Sequence, residues 1–406
     1  MAVKKDTGLG FSTRMSHHGR AGAREHGFVN PPVHRGSTVL FPDCGSRKSA
    51  AAQRYEQVLT YGTAGGPTHH MLEDMVAEIE GGTRALIVGT GLAACMVPLF
   101  AYLKAGDHCL VPDSVYGPVR NLADGLMRSF GIETTYYDPM VDEAGTAALI
   151  RPNTKVVYTE SPGSHTFELQ DIPAIARAAH AAGAKVLMDN TWGFHTFQPF
   201  AHGVDVSIQA LTKYAGGHSD VLLGSVTVNN PEDWHAVKGA ASQLGQFASP
   251  DDCWLCLRGL RTLPVRLKQQ AENGLAVARW LEGRPEVLRL LHPALPSHPQ
   301  HALFQRDFSG TCSLFGVVLQ PRYSDADAEA VVDAMKLFGI GASWGGTHSL
   351  LAPMNVTKDR HLGPAAHQGT ILRISIGVED PSDLWSDLEP IVDAVAAAAV
   401  RRSDAA

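Results

Sequence analysis

The feature that most restricts the fold is a rhythm. Five short apolar, β-branched runs recur along the first half of the chain: ALIVGT (85–90), HCLVPD (108–113), KVVYTE (155–160), KVLMDN (185–190) and DVSIQA (205–210). Helix-length, alanine-rich segments lie between several of them. In DIPAIARAAHAAG (171–183), Asp171 can cap the start, Ile172, Ile175, Ala176 and Ala179 make one face, and Gly183 closes the helix. Strand–helix–strand repetition predicts an α/β fold, a mostly parallel sheet covered by helices. After about residue 259 the pattern changes. The helical stretch TLPVRLKQQAENGLAVARWLEG leads to a Pro/His-rich turn region at 292–301. SLFGVVLQ and ILRISIGV follow as strand candidates, with the helical pattern DAEAVVDAMKLFG between them. This predicts a smaller C-terminal α+β domain. Residues 1 to about 60 read as irregular, an arm rather than a domain. The 406 residues also exceed one ordinary core, so two domains are expected, 61–259 and 260–406.

Composition narrows the function. Hydrophobic residues make up 44% and charged residues 18%, which is globular. The formal net charge of −7, without a basic tract, disfavours nucleic acid or an anionic membrane as partner. No apolar run reaches the length of a membrane span, and MAVKKDTGLGFSTR lacks a secretory apolar core. A cytoplasmic location is expected. The six cysteines form no disulfide framework in a chain this long. Cys253 and Cys256 spell CWLC, but no second CxxC or paired-histidine motif completes a zinc site, so two thiols on one helix face are expected. His17-His18, His69-His70 and the histidines at 292, 298 and 301 lack ligand spacing, and no metal is expected.

In open parallel sheets ligands bind at the carboxyl ends of the strands. Four such ends carry chemistry-bearing residues. After ALIV comes Gly89-Thr90-Gly91-Leu92, opening a helix whose backbone N–H groups can meet a phosphate; a plain strand-to-helix turn reads the same. After CLVPDS comes Tyr116, able to stack on a flat ring or simply to pack. After KVLM comes Asp189, costly at the end of an apolar strand unless partnered, whether by a protonated ring nitrogen or by a turn. After DVSIQA comes Thr212-Lys213; a lysine in a low-dielectric spot becomes an amine nucleophile. Lysine plus a ring-pairing carboxylate is what a protein supplies to pyridoxal phosphate. In the second domain, ILRISIGVED puts Arg373 inside an apolar strand, on one face with Ile371 and Ser375. A guanidinium there suits a substrate carboxylate, or an internal salt bridge.

TKYAGGHSD resembles the cofactor-lysine signature of the Cys/Met-metabolism pyridoxal-phosphate enzymes. YGTAGGPTHHMLE, GTGLAA, DSVYGPVR, ESPGSHTFELQDIPAI, DNTWGFHTF, LRGLRTLPVRL, SWGGTHSL and LRISIGVED resemble further family segments, in the family's order. The likeness runs from about residue 30 onward. Within the family, ESPGSHTFE, DNTW, SIQALTKY and Ser343-Trp344-Gly345-Gly346 are most similar to the cystathionine β-lyase branch. The γ-acting branches more often carry leucine where Trp344 stands.

The resemblance implies the aspartate-aminotransferase-like fold (fold type I) of pyridoxal-phosphate-dependent transferases. It implies pyridoxal 5'-phosphate as cofactor and β-elimination from cystathionine or related cysteine S-conjugates, with a γ-acting relative (a cystathionine γ-lyase or γ-synthase, or a methionine γ-lyase) as the alternative. It assigns Lys213 to covalent attachment of the cofactor and to proton transfer, Asp189 to the ring nitrogen, and Tyr116 to the ring face, with Tyr116 also a candidate for proton handling. Gly91, Leu92 and Thr212 would meet the phosphate. Arg373, Ser343 and Trp344 would meet the amino-acid substrate. Tyr61 would reach in from the neighbouring subunit, so that dimers share active sites and pair into a homotetramer. His218 takes a structural role. Thr63 stands where the family usually has an arginine that binds phosphate, so weaker cofactor affinity is expected. Ala342 stands where the β-lyase branch can have tyrosine.

Overall fold

The computed structural model describes residues 8–18, 27–357, 360–363 and 370–389. A seven-stranded sheet organises residues 84–228. Its strands are β1 (Arg84–Val88), β2 (His108–Pro112), β3 (Glu133–Tyr137), β4 (Thr154–Glu160), β5 (Lys185–Asp189), β6 (Val206–Gln209) and β7 (Gly224–Val228). Their spatial order is β1-β7-β6-β5-β4-β2-β3. From β6 through β5, β4 and β2 to β3 every pairing is parallel, whereas β7 runs antiparallel to both β1 and β6. The five anticipated runs form β1, β2, β4, β5 and β6. Helices cover the sheet, and two apolar clusters form its core: Leu110, Val157, Val186 and Met188 belong to one, Val111, Val156, Leu187 and Ile208 to the other. Adjacent residues of one strand point to opposite faces, so a strand covered on both sides is apolar through its middle, as VVY of KVVYTE and VLM of KVLMDN are. The helix Ile172–Ala181 forms as expected, with the Asp171 side chain accepting from Ala174 N at 3.2 Å and Gly183 at φ +73°.

The second sheet is antiparallel, in the order β10-β11-β9-β8, from β8 (Val287–Leu291), β9 (Leu314–Leu319), β10 (Leu350–Met354) and β11 (Ile371–Ser375). The 33-residue helix Pro250–Glu282 passes through residue 259, packing against helix Pro67–Glu80 and against β8 and β9. Cys253 and Cys256 are free and buried on this helix. The N-terminal stretch is less irregular than its sequence suggests. Helices form at Phe11–His17 and Cys44–Ala52; the first buries Met15 completely, and Asp43 caps the second by accepting from Ser46 N at 2.6 Å. Both are short and weakly patterned, which hid them. Among the described residues no helix is long and apolar enough to cross a membrane.

Candidate active site

The carboxyl ends of β1, β2, β4, β5 and β6 open onto one cavity of about 550 Å³, lined on its far side by residues of the second sheet and its loops. This is the size of an ordinary cofactor or substrate site. Gly91, Leu92, Tyr116, Asp189, Thr212, Lys213, Ser343, Trp344 and Arg373 all line it. Tyr61 does not; it lies outside the cavity of its own chain and is 53% exposed. His218 is also outside, its Nδ1 2.7 Å from Gly216 O.

At one end of the cavity helix Gly91–Tyr102 begins. Thr90 caps it, its hydroxyl accepting from Ala93 N at 3.0 Å. The amides of Gly91 and Leu92 precede the first intrahelical bond, Ala94 N to Thr90 O, and are open donors at the positive end of the dipole. A Cβ on Gly91 would come within 2.7 Å of Ala210 Cβ, so glycine is required for the helix start to approach β6. Thr212 sits beside it, its hydroxyl bridging Leu223 O and N at 3.2 and 3.1 Å.

Lys213 follows β6. Its Nζ donates to Ser343 Oγ at 2.6 Å and lies 5.3 Å from the centre of the Trp344 ring. Burial, reinforced by the charge of Arg373, pulls the amine down to about 8. Asp189 faces the same space with Thr191 N at 3.0 Å and the Cys95 thiol at 3.8 Å. Burial raises its carboxyl above the usual range. A cationic ring nitrogen would supply the charge that this carboxyl lacks. Arg373 is buried in β11, and its Nη2 donates to the carbonyls of Gly341 and Ser343 at 3.1 and 3.2 Å. Among the described residues it has no carboxylate within ion-pairing distance. Burial lowers its pKa, and a buried guanidinium in this state favours an incoming anion.

The loop that meets Lys213 is tightly built. Ser343 has φ +77°, rare for a residue with a side chain. Gly345 has φ +83°, and a Cβ there would sit 3.0 Å from Tyr214 N. The Trp344 ring packs 5.3 Å from the Tyr214 ring. Ala342 also lines the cavity.

The strand-end reading overlooked Glu160, which ends β4 directly beside Asp189 in the parallel register. It accepts from Tyr116 N at 2.7 Å and from Ser164 Oγ at 2.6 Å. Burial, then the Asp189 charge, raises its carboxyl. The signal was available, an acid closing an apolar strand as in KVLMDN. His165 and Met354 also line the cavity and had no local signal.

A helix start open to phosphate, a buried acid, a partly deprotonated amine and a flat phenol at the rim fit pyridoxal phosphate. A model of the Cys/Met metabolism PLP-dependent enzymes matches residues 12–392. The chain belongs to this family. Its cofactor is pyridoxal 5'-phosphate. A putative cystathionine β-lyase from Rhizobium johnstonii is 47% identical over 94% of the chain and 95% of its own length. A cystathionine β-lyase from Bordetella avium is 41% identical over 91% and 93%. The crystal structure of metB from Corynebacterium glutamicum superposes with a TM-score of 0.85 at 30% identity, covering 95% of this chain and 98% of that one. The aspartate-aminotransferase-like fold expected from the sequence is the fold observed.

Proposed function

We propose that the protein is a carbon–sulfur lyase that eliminates the thiol from Cβ of L-cystathionine and related cysteine S-conjugates and, with uptake of one water, gives homocysteine or another thiol, pyruvate and ammonia. Two β-lyase relatives matched over nearly their full length support this reading, and so does Trp344 beside Lys213. The observation that carries the chemistry is the Lys213 amine, held on a neutral hydroxyl within one cavity with Asp189 and Arg373.

When bound, pyridoxal phosphate supplies the electron sink for charge developing at Cα. The Gly91 and Leu92 amides would hold its phosphate, joined by the Thr212 hydroxyl if its hydrogen turns from Leu223 O to the phosphate; Asp189 would keep a proton on its ring nitrogen, and Tyr116 would cover the ring. Arg373 and Ser343 fix the substrate carboxylate. Lys213, whose depressed pKa leaves part of it unprotonated near neutral pH, removes the Cα proton. Having taken that proton, Lys213 can deliver it to the departing sulfur. Trp344 and Met354 offer an apolar wall to the thioether.

The exposed Tyr61 fits a role in a neighbouring copy's cavity, within a homotetramer of dimers. A cytoplasmic enzyme, and a division into an arm (1–60), a cofactor domain (61–259) and a C-terminal domain (260–406), complete the proposal. The test is the keto acid formed from L-cystathionine by cofactor-loaded protein. Pyruvate supports β-elimination; 2-oxobutyrate would mean that the enzyme acts at Cγ, as the γ-lyases and γ-synthases of the family do.

A further inference from the structure

The residues proposed to hold the cofactor and those proposed to grip the amino acid come from different parts of the chain. Gly91, Leu92, Tyr116, Asp189, Thr212 and Lys213 belong to the large sheet and its loops, whereas Ser343 and Arg373 belong to the second domain. Turnover therefore depends on a fixed distance between the two sheets, which share an apolar cluster. A buried ionic cluster spans them at the cavity.

Its centre is Arg360, 5% exposed, on the connection between β10 and β11. Arg360 Nη2 donates to Glu168 Oε1 at 2.8 Å, Nε lies 3.4 Å from Asp113 Oδ2, and Nη1 bonds the Thr166 hydroxyl. The backbone amides of His361 and Leu362 donate to the same Asp113 oxygen at 2.7 and 2.8 Å. Arg120 holds the other oxygen at 2.7 Å. Two guanidinium groups thus balance two carboxylates, Asp113 and Glu168, all four residues less than 10% exposed.

The positions of these partners give the cluster its meaning. Asp113 lies three residues before Tyr116, and Thr166 directly follows the cavity-lining Ser164 and His165. Ser164 N in turn bonds Ser114 O at 2.9 Å, joining those two walls. On the other side, Arg360 lies between β10, which ends at the cavity residue Met354, and β11, which carries Arg373 opposite Ala352 of β10.

We propose that Arg360 is a positioning residue for substrate binding, an ionic latch that sets Arg373 and Met354 against the Tyr116 and Ser164 walls. It does not line the cavity, which it reaches only through its charge on Glu160. Its loss should therefore weaken the grip on the amino acid and spare the cofactor. This inference rests on the cavity taking an amino acid.

The test uses cofactor-loaded Arg360→Met and Arg360→Lys, titrated with L-alanine while the cofactor's visible absorbance is followed. L-Alanine has no leaving group on Cβ, so the titration reads binding whether or not the protein is a lyase. Arg360→Met should raise the half-saturating L-alanine concentration about tenfold or more, since small misplacements of gripping groups are costly. Its cofactor dissociation constant should stay within about threefold, because cofactor contacts are local to the large sheet. Arg360→Lys, which keeps the charge but not the fork, should fall between wild type and Arg360→Met. Arg360→Met leaves Glu168 buried without its partner; if that prevents folding, Arg360→Met/Glu168→Gln removes the stranded charge and should show the same weakening. Wild-type L-alanine affinity in any folded Met variant, wild-type affinity in Arg360→Lys, or parallel weakening of cofactor and amino acid overturns the latch. A wild-type protein with no spectral response to L-alanine overturns the amino-acid reading, and the latch with it.

Discussion

Glu80 offers a test of the electrostatics beneath the site. It ends helix Pro67–Glu80 and is completely buried. The side-chain amides of Gln209 and Asn190 donate to its Oε1 at 2.8 and 3.3 Å, and the Ser207 hydroxyl bonds its Oε2. Burial without a cation raises its pKa from 4.5 to about 7. Below pH 4.5 the carboxyl is protonated in both folded and unfolded protein. Between 4.5 and about 7 the folded state binds the extra proton, so stability falls as pH rises; above about 7 the loss is complete. The roughly 2.5-unit difference corresponds to about 3 kcal/mol. Glu80→Gln stays neutral, keeps an acceptor for the two amides and presents an NH₂ to Ser207 Oγ. Relative to wild type it should gain about 1 kcal/mol at pH 5 and about 3 kcal/mol at pH 8. Urea unfolding of both proteins at the two pH values, with equal free cofactor, measures this. Any fixed cost of the substitution cancels between the pH values. A variant-minus-wild-type difference equal at pH 5 and pH 8 would refute the reasoning.

Two further substitutions test the cofactor end of the cavity. Gly91→Ala must push the helix start away from Ala210, because the added carbon would sit 2.7 Å from its Cβ; overpacking of about 1–3 kcal/mol should weaken cofactor binding about ten- to a hundredfold, and an unchanged dissociation constant would remove Gly91 from the phosphate cradle. Thr63→Arg restores a cation to an exposed segment beside Tyr61 and should tighten the cofactor about tenfold, as expected for one charge-assisted bond; equal affinity by absorbance titration would mean that Thr63 is not the cause of any weakness.

The large sheet was legible because burial on both faces leaves strands no freedom to be polar, and the strand-end rule then pointed to Gly91, Tyr116, Asp189 and Lys213. Other strands were not visible. β3 (ETTYY) and β7 (GSVTV) mix hydroxyl-bearing residues, a glutamate and a glycine into what would be an apolar run, and β10 (LLAPM) contains Pro353, which its place at a sheet edge tolerates. Glu160 was legible by the same rule, as the acid closing KVVYTE, and was passed over. Arg360 left no local trace at all. Its partners Thr166, Glu168 and Asp113 lie 194, 192 and 247 residues away in sequence, and nothing in TKDRHLG distinguishes a buried arginine from an exposed one.

The separation of labour between the two sheets also bears on how such a protein can change its diet. Under the proposed function, reaction chemistry is carried by side chains at successive strand ends, where a shift of any one disturbs the others. On the same reading, the residues that would meet the variable part of an amino acid are Ala342, Trp344 and Met354, which line the cavity from a loop and a strand end of the other sheet. A population of mutants screened for new sulfur substrates would therefore do best with diversity confined to residues 342, 344 and 354, leaving the Lys213–Ser343 hydrogen bond in place. The proton-transfer apparatus would then pass unaltered from parent to descendant.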